Sequence, residues 1–217
     1  MKKIAATACW TSARAVFVAI FLALAGCALP LPDKPTRPAP WDLGPLPAPP
    51  ATAAAPSAAP ALALDTLDAP ATLDSTAIVY RLLYAGGGQQ PRPYAQARWT
   101  MSPPQLVTQR LRETLAATRP VIGVGSGLAP LELHGELEEF AHVFSTPDAS
   151  EGVVRLRLTA TAPGAKQHRL LGQRSFTARQ PAASPDVAGG AQALRSATDE
   201  VLRQVAAWVD ALPAAGH

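Results

Sequence analysis

Cysteine is scarce in this 217-residue chain, which contains only Cys9 and Cys27. Both lie ahead of the part of the sequence that has a globular pattern. The later chain therefore has no thiol for a disulfide, a cysteine metal site or a cysteine nucleophile. A domain without disulfides depends on its hydrophobic core, and about 150 residues are long enough to build one.

Excess charge of one sign is also missing from most of the chain. The formal net charge is +3, from 19 basic and 16 acidic residues. Lys2, Lys3 and Arg14 lie in the first 26 residues, which hold no acidic residue. The remaining chain thus has 16 residues of each sign and is near neutral. This balance gives no support for a nucleic-acid partner.

The N-terminus does contain the parts of a secretory signal. A ten-residue apolar run, residues 15–24, follows the basic residues, whereas a membrane-spanning helix needs about 20. The run ends in Leu24-Ala25-Gly26-Cys27, which is typical of a bacterial lipobox. We therefore predict that residues 1–26 are a lipoprotein signal peptide and that Cys27 becomes the lipid-carrying N-terminus. The alternatives are an ordinary signal peptide with an incidental cysteine, or a short buried helix.

The residue after the predicted lipidation site bears on location. Asp at that position is the usual signal for retention in the inner membrane, and this chain has Ala28 instead. We expect a lipid-anchored protein of the outer membrane that faces the periplasm. A single acyl chain binds a membrane marginally, whereas the several chains of a bacterial lipoprotein, palmitate among them, hold it firmly.

Residues 27–60 form a Pro/Ala-rich segment, since residues 30–60 alone hold 11 of the 23 prolines. Such a sequence cannot form a regular hydrogen-bonded element and favours extended polyproline-like conformations. It is predicted to be a tether that reaches roughly 90 Å when fully extended. Trp41-Asp42-Leu43-Gly44-Pro45 interrupts it. Residues 41–46 are either a strand that docks on the domain or an isolated tryptophan within the tether.

Residues 61–213 have the pattern of one folded domain. Alternating and β-branched segments predict strands at 61–67, 77–84, 131–144, 152–161 and 170–178. Leucines at helical spacing predict a helix from Pro103 to Leu115 with Ser102 as its N-cap, and a second helix from about Pro185 to Leu212. The expected fold is α+β, a two-layer sandwich in which two helices pack on one face of a mixed, mostly antiparallel sheet of about five strands.

No arrangement of residues in this domain predicts an enzyme, a metal site or a cofactor. Gly123–Gly127 has no following lysine or helix, so we interpret it as a turn rather than a phosphate-binding loop. The four histidines lack the spacing of a zinc site, and no G-x-S-x-G elbow is present. No cofactor is expected.

The densest charges lie on two neighbouring predicted strands. Glu136 and Glu138 share one strand face, whereas Glu139 points to the other face unless a bulge intervenes. Arg155 and Arg157 share a face of the next strand and are placed to pair with them. Cross-strand ion pairing on a solvated face is favoured over carboxylate catalysis. If the pairs form, this face is also a candidate docking surface.

Several short motifs together resemble one protein family. They are Trp41 to Pro45, Ile78-Val79-Tyr80-Arg81, Tyr94-Ala95-Gln96-Ala97-Arg98-Trp99 and the helix that follows. In this order they resemble the ABC-type transport auxiliary lipoprotein family of the PqiC/YmbA type. The long Pro/Ala insertion after Pro45, and Trp41 where a tyrosine is commoner, depart from the family pattern.

The resemblance implies a non-catalytic accessory lipoprotein of an envelope lipid transport system. Its expected partner is the periplasmic MCE-domain protein of an ABC transporter, with the membrane contacted through the N-terminal lipid. A homo-oligomer is left open. A regulator of a cell-wall synthase and a direct lipid carrier are the alternative functions. Candidate partner-binding residues are Arg81, Tyr94, Arg98, Trp99, Arg155 and Arg157. For Arg81, Tyr94, Arg98 and Trp99 the alternative, which we favour, is that they organise the edge of the core.

Overall fold

The computed structural model describes residues 37–46, 59–164 and 167–213. Within them the chain forms eight strands and two α-helices. The strands are β1 Ala39–Trp41, β2 Leu62–Leu64, β3 Ala77–Leu82, β4 Gly87–Trp99, β5 Val121–Ile122, β6 Leu131–Phe144, β7 Ser150–Ala162 and β8 Arg169–Pro181. The helices are α1 Pro103–Ala116 and α2 Val187–Asp210. The predicted α+β class is confirmed, with three strands more than the sequence indicated.

All eight strands belong to one mixed sheet in which β6 has the central place. One edge of β6 is antiparallel to β7 along its whole length, and β8 follows β7 in the same sense. The other edge of β6 is parallel to β2 near its start and to β3 near its end. The sheet then continues from β3 to an antiparallel β4 and from β4 to a parallel β1, while β5 pairs with β2.

The N-terminal strand β1 lies where the Pro/Ala-rich tether was expected. Its three residues pair in parallel with residues 97–99 of β4. Of residues 41–46, for which a docked strand is one of the two predictions, Trp41 is the last residue of β1 and residues 42–46 follow as loop. The folded part of the chain therefore begins near residue 39 rather than at 61.

The strand β4 has no counterpart among the predicted strands. It contains Gly87, Pro91 and Pro93, which break the regular pattern of a strand. Proline is tolerated where a strand lies at an edge, because its missing N–H then breaks no inter-strand bond. Here β1 covers only the last three residues of the outer edge of β4, so most of β4 is an edge among the described strands.

Both helices begin as the sequence indicated. Ser102 is the N-cap of α1, and its backbone N–H donates to the side-chain oxygen of Gln105 over 3.2 Å, which is one half of a capping box. Asp186 caps α2 by accepting from the N–H of Gly189 at 2.8 Å. These bonds satisfy N–H groups that a helix start leaves without internal partners.

One hydrophobic core joins both helices to the sheet. Trp99 and Phe140 meet edge to face within it, with ring centroids 5.6 Å apart. Leucines and valines of α1 and α2 close the core from the helix side. The largest fully buried side chains are Trp99, Phe176, Leu62, Ile78, Leu111, Leu115, Leu133, Leu137, Leu156, Leu158, Leu194 and Leu202.

Candidate functional site

A ladder of ion pairs crosses β6 and β7 on the sheet face opposite the main core. Arg157 contacts Glu136 at 2.6 Å and Glu138 at 2.9 Å, and Arg155 contacts Glu139 at 3.4 Å. The side chains of both arginines are about half exposed, at 43 and 44 %. The hydrogen bond to Glu136 raises the pKa of the Arg157 guanidinium. We call these five residues the charged face.

A β-bulge explains why all three glutamates lie together. The register of β6 against β7 shifts between Leu137, which faces Leu156, and Glu139, which faces Arg155. Glu138 is the extra residue of the bulge. Without the shift, Glu138 and Glu139 would point to opposite faces. The cross-strand pairing expected from the sequence is therefore formed, and the bulge adds Glu139 to it.

Arg81 lies beside this charged face. Its guanidinium donates to the carbonyl of Gly88 at 2.8 Å, and its side chain lines a groove of about 40 Å³ together with Glu138 and Glu139. Three of the six candidate partner-binding residues are thus close to one another: Arg81, Arg155 and Arg157.

Tyr94 belongs to a different site, an aromatic cluster under the start of α2. Its hydroxyl and Nδ1 of His142 are 2.9 Å apart, and its ring lies 4.7 Å from that of Tyr80. Phe144 completes the cluster at 4.4 Å from the His142 ring. Gly190 of α2 passes so close that a Cβ there would overlap the imidazole. Glycine at position 190 therefore allows α2 to pack directly against His142 and to cover the cluster.

Burial determines the ionisation of this cluster. It lowers the pKa of His142, which has 0 % exposure, to about 4. Burial, followed by the charges of Tyr80 and Asp186, raises the pKa of Tyr94 to about 12. Both side chains are therefore neutral at pH 7. Nε2 of His142 has no hydrogen-bond partner among the described residues. From the sequence, His142 is considered only as a possible zinc ligand, and nothing in the sequence indicates this buried pair.

Arg98 and Trp99 differ from each other in exposure. Trp99 is 1 % exposed, so its ring offers almost no surface to a partner. The predicted contact role is wrong for this side chain, because the ring packs on Phe140 in the core. Arg98 is exposed and forms no ion pair with any described residue. It lies outside both the charged face and the aromatic cluster.

A third arrangement holds residues 42–45, which we call the strap, against both helices. Arg110 of α1 is 3 % exposed and donates to the carbonyls of Leu43 and Gly44 at 3.2 and 2.9 Å. The same guanidinium donates twice to Asp199 of α2, at 2.5 and 2.9 Å. Arg195 donates to the carbonyl of Pro45 at 3.0 Å. Neither Arg195 nor Asp199 is among the candidate residues of the sequence, so sequence reasoning missed this arrangement.

Two other histidines, His134 and His168, lie near the start of β6. Nδ1 of His134 is 3.1 Å from Asp65, and His168 is 3.4 Å from Glu132. In the described parts of the chain, no three His, Cys, Asp or Glu side chains are arranged to hold a metal ion. The Gly123–Gly127 segment is a turn, as predicted, with positive φ at Gly125 and Gly127.

The predicted lipidation site cannot be placed in this geometry, because Cys27 lies outside the described residues. Neither described helix combines the length and the apolar character needed to cross a bilayer.

Comparison with known families gives one match over most of the chain. Residues 42–206 match the model of the ABC-type transport auxiliary lipoprotein component family. The match runs from the strap to α2 and so includes the charged face and the aromatic cluster. No functionally curated protein is similar to the chain in sequence.

Solved structures share the fold. Protein XCC0632 from Xanthomonas campestris, of a family designated DUF330, superimposes with a TM-score of 0.62 at 18 % identity. The superposition covers 72 % of this chain and 87 % of that one. An uncharacterised protein gives a TM-score of 0.60 at 13 % identity over 80 % of this chain and 99 % of its own. At these identities the likeness concerns the fold alone.

Proposed function

Because the chain belongs to the family of ABC-type transport auxiliary lipoprotein components, we propose that it is a lipid-anchored, non-catalytic accessory subunit of an ABC transport system in the bacterial envelope. Its lipid is carried by Cys27, and the anchor lies in the outer membrane, since Ala28 is not a retention signal. Its partner is the periplasmic MCE-domain protein of that system.

The charged face is the surface that we assign to the partner, and its geometry is the observation that carries this assignment. Its ion pairs are half exposed, and such pairs contribute only about 0–1 kcal/mol each to folding. They nevertheless hold five charged side chains in fixed positions on a regular sheet. Fixed charges of both signs give specificity and orientation to a protein contact more than raw affinity.

Direct lipid carriage has less support from the cavities. The two cavities beside the strap have volumes of about 140 and 120 Å³, and the groove at Arg81 about 40 Å³. Pockets that enclose small-molecule ligands usually measure about 300–1,000 Å³. None of these three cavities, which described residues line, is large enough for an acyl chain, and we assign the protein to docking rather than to carrying cargo.

Site-specific crosslinking in cells tests this proposal. A photoreactive amino acid replaces Ser175, an exposed residue of β8 that pairs in register with Arg157. The matched control replaces Arg203, which is exposed on α2. We expect position 175, and not position 203, to capture the MCE-domain protein, identified by mass spectrometry. Capture of a cell-wall synthase instead, or equal capture of the MCE-domain protein from both positions, would contradict the proposal.

A further inference from the structure

Two large apolar side chains stand next to each other at one end of the sheet. Leu83 is 51 % exposed and Tyr84 is 48 % exposed. They lie on a single 3₁₀ turn, Leu83–Ala85, which joins β3 to β4. We call this turn the tip. These adjacent, half-exposed side chains form a small apolar patch that is available for a contact outside the domain.

The chain enters the domain from the side of the tip. Because β1 is parallel to β4, with Ala39 opposite Ala97, the residues before Ala39 lie toward the start of β4. The start of β4 is at the tip, since Gly87 pairs with Leu82. The described residues just ahead of β1, 37 and 38, therefore lie on the side of β1 that is nearer to Leu83 and Tyr84.

The length of β3 and the length of the segment between Cys27 and Ala39 are both compatible with a lipid anchor near the tip. Pro40 and Ala77 both pair with Arg98, so β1 is level with the start of β3. From that level to the tip, the six residues of β3 span about 20 Å. Twelve residue steps separate Cys27 from Ala39, and an extended proline-rich chain of that length reaches about 37 Å. A lipid on Cys27 can therefore lie level with the tip or somewhat beyond it.

The opposite end of the sheet is less well placed to contact the membrane that holds the lipid anchor. It carries Leu128 and Leu170, which are 78 and 63 % exposed. From the level of β1, β6 runs about eight more residues to its start at Leu131, which is about 27 Å at the rise of a strand. To bring this end to the membrane would take about 27 Å of the roughly 37 Å of linker, against the direction in which the chain runs into β1.

We propose that the tip faces the bilayer that holds the lipid anchor, and that Leu83 and Tyr84 enter its headgroup region. Tyrosine suits this interface because its ring is apolar and its hydroxyl can remain hydrated. Two side chains bind a free bilayer only weakly. The linker raises their effective concentration at the surface to about the millimolar range, so a weak contact becomes populated. This inference rests on the proposed lipidation of Cys27.

Fluorescence quenching by lipids tests the orientation of the full lipidated protein. The mature chain has no thiol other than that of Cys27, which the lipid blocks, so an introduced cysteine is labelled alone. Tyr84→Cys labels the tip, and Leu128→Cys is the matched control at the opposite end. Each protein is placed in vesicles of phosphatidylethanolamine and phosphatidylglycerol whose acyl chains carry bromine near the headgroup. We expect the label at 84 to be quenched severalfold more than the label at 128.

Equal quenching of both labels, or stronger quenching at 128, would overturn the proposal. Protection of the label at 84 only after the partner protein is added would overturn it too, because the tip would then be a protein contact. Flotation of the vesicles reports separately on the anchor. If the protein floats and the tip is not quenched, only the orientation fails. If it does not float, the lipidation in the proposed function fails with it.

A double serine variant measures the contribution of the contact itself. Leu83→Ser combined with Tyr84→Ser, introduced into the protein labelled at 128, should increase the quenching of that label by the brominated lipids. The reason is that the tip then no longer holds the opposite end of the sheet away from the bilayer. Unchanged quenching of the label at 128 would contradict a role for the two side chains.

Discussion

The guanidinium of Arg110 donates two hydrogen bonds to the carboxylate of Asp199, 2.5 and 2.9 Å in length, and so joins the two helices. The same group also holds the strap through two backbone carbonyls. One buried side chain thus connects α1, α2 and the N-terminal segment. Arg119, in the turn that follows α1, forms a further ion pair with Asp210 at the end of α2.

Replacing Arg110 with methionine should destabilise the protein by about 3 kcal/mol, because a partly buried carboxylate and two carbonyls lose their donor. Urea unfolding measures this loss. Arg203→Met is the control, since the Arg203–Glu200 pair is exposed and its loss should cost less than about 1 kcal/mol. Equal losses of unfolding free energy in both variants would show that the bonds of Arg110 stabilise the protein no more than an exposed ion pair does.

Gly190→Ala should destabilise the protein although alanine favours helices. Alanine in a helix interior gains about 1 kcal/mol over glycine. Its Cβ would overlap the ring of His142, and overpacking of this kind commonly costs about 3 kcal/mol when nothing can move. We expect a net loss of about 2 kcal/mol in thermal or chemical unfolding.

Gly123→Ala is the matched control for that substitution. Gly123 lies in an exposed loop with no atom near the position of a Cβ and with an ordinary φ. Its replacement should leave the free energy of unfolding almost unchanged. A stable Gly190→Ala protein would mean that α2 can move away from β6.

His142 should make the stability depend on pH. Its folded-state pKa of about 4 is below the value of about 6.5 in the unfolded chain, so the unfolded state binds more protons between these values. The free energy of unfolding should therefore fall as the pH falls from about 6.5 to about 4, by up to about 3 kcal/mol from this group.

His142→Phe tests this dependence without removing an aromatic ring from the cluster. The variant should lose the part of the pH slope that is due to the histidine, measured by urea unfolding at several pH values. If the slopes of parent and His142→Phe coincide, His142 is not buried in its neutral form.

Charge reversal of Arg157 should weaken partner binding and leave the fold intact. Arg157→Glu adds a fourth carboxylate to the charged face, next to Glu136 and Glu138. Because this face is exposed, the loss of stability should be only about 1 kcal/mol. Co-purification with the MCE-domain protein measures binding. Arg203→Glu reverses an arginine on α2 that is even more exposed, and this variant should bind normally. Normal binding by Arg157→Glu would remove the charged face from the partner contact.

The lipid anchor has its own test. Cys27→Ser removes the only atom to which the diacylglycerol can be attached, so the precursor should remain uncleaved or be mislocalised. Membrane fractionation and the mass of the N-terminal peptide report the outcome. Normal processing and normal membrane placement of this variant would contradict the lipobox.

Regular patterns in the sequence were sufficient to predict most of the fold. The strand from Leu131 to Phe144 has the predicted bounds, and Ser102 and the proline after it located the start of α1. The strand β4 was missed because Pro91 and Pro93 resemble loop residues. The strand can accommodate these prolines because β4 is mostly an edge strand, and that is a property of the assembled sheet.

The sites were harder to predict, because they depend on contacts between distant residues. Arg110 and Asp199 are 89 positions apart and look like ordinary solvent-exposed charges on helices. Tyr94 and His142 are 48 positions apart, and burial, not residue type, determines their ionisation. The charges at Glu136 and Arg157 were paired correctly because neighbouring antiparallel strands fix which residues oppose each other.

The parallel pairing of β1 with β4 also has a mechanical consequence. A force on the chain ahead of Ala39 acts along the strand axis, toward the start of β4. The hydrogen bonds of β1 would then be strained together, in shear, instead of breaking one after another as in a strand that is peeled from its end. The bonds from Arg110 to Leu43 and Gly44 resist the same displacement just behind β1. The domain is attached to its linker in the geometry that best withstands a pull.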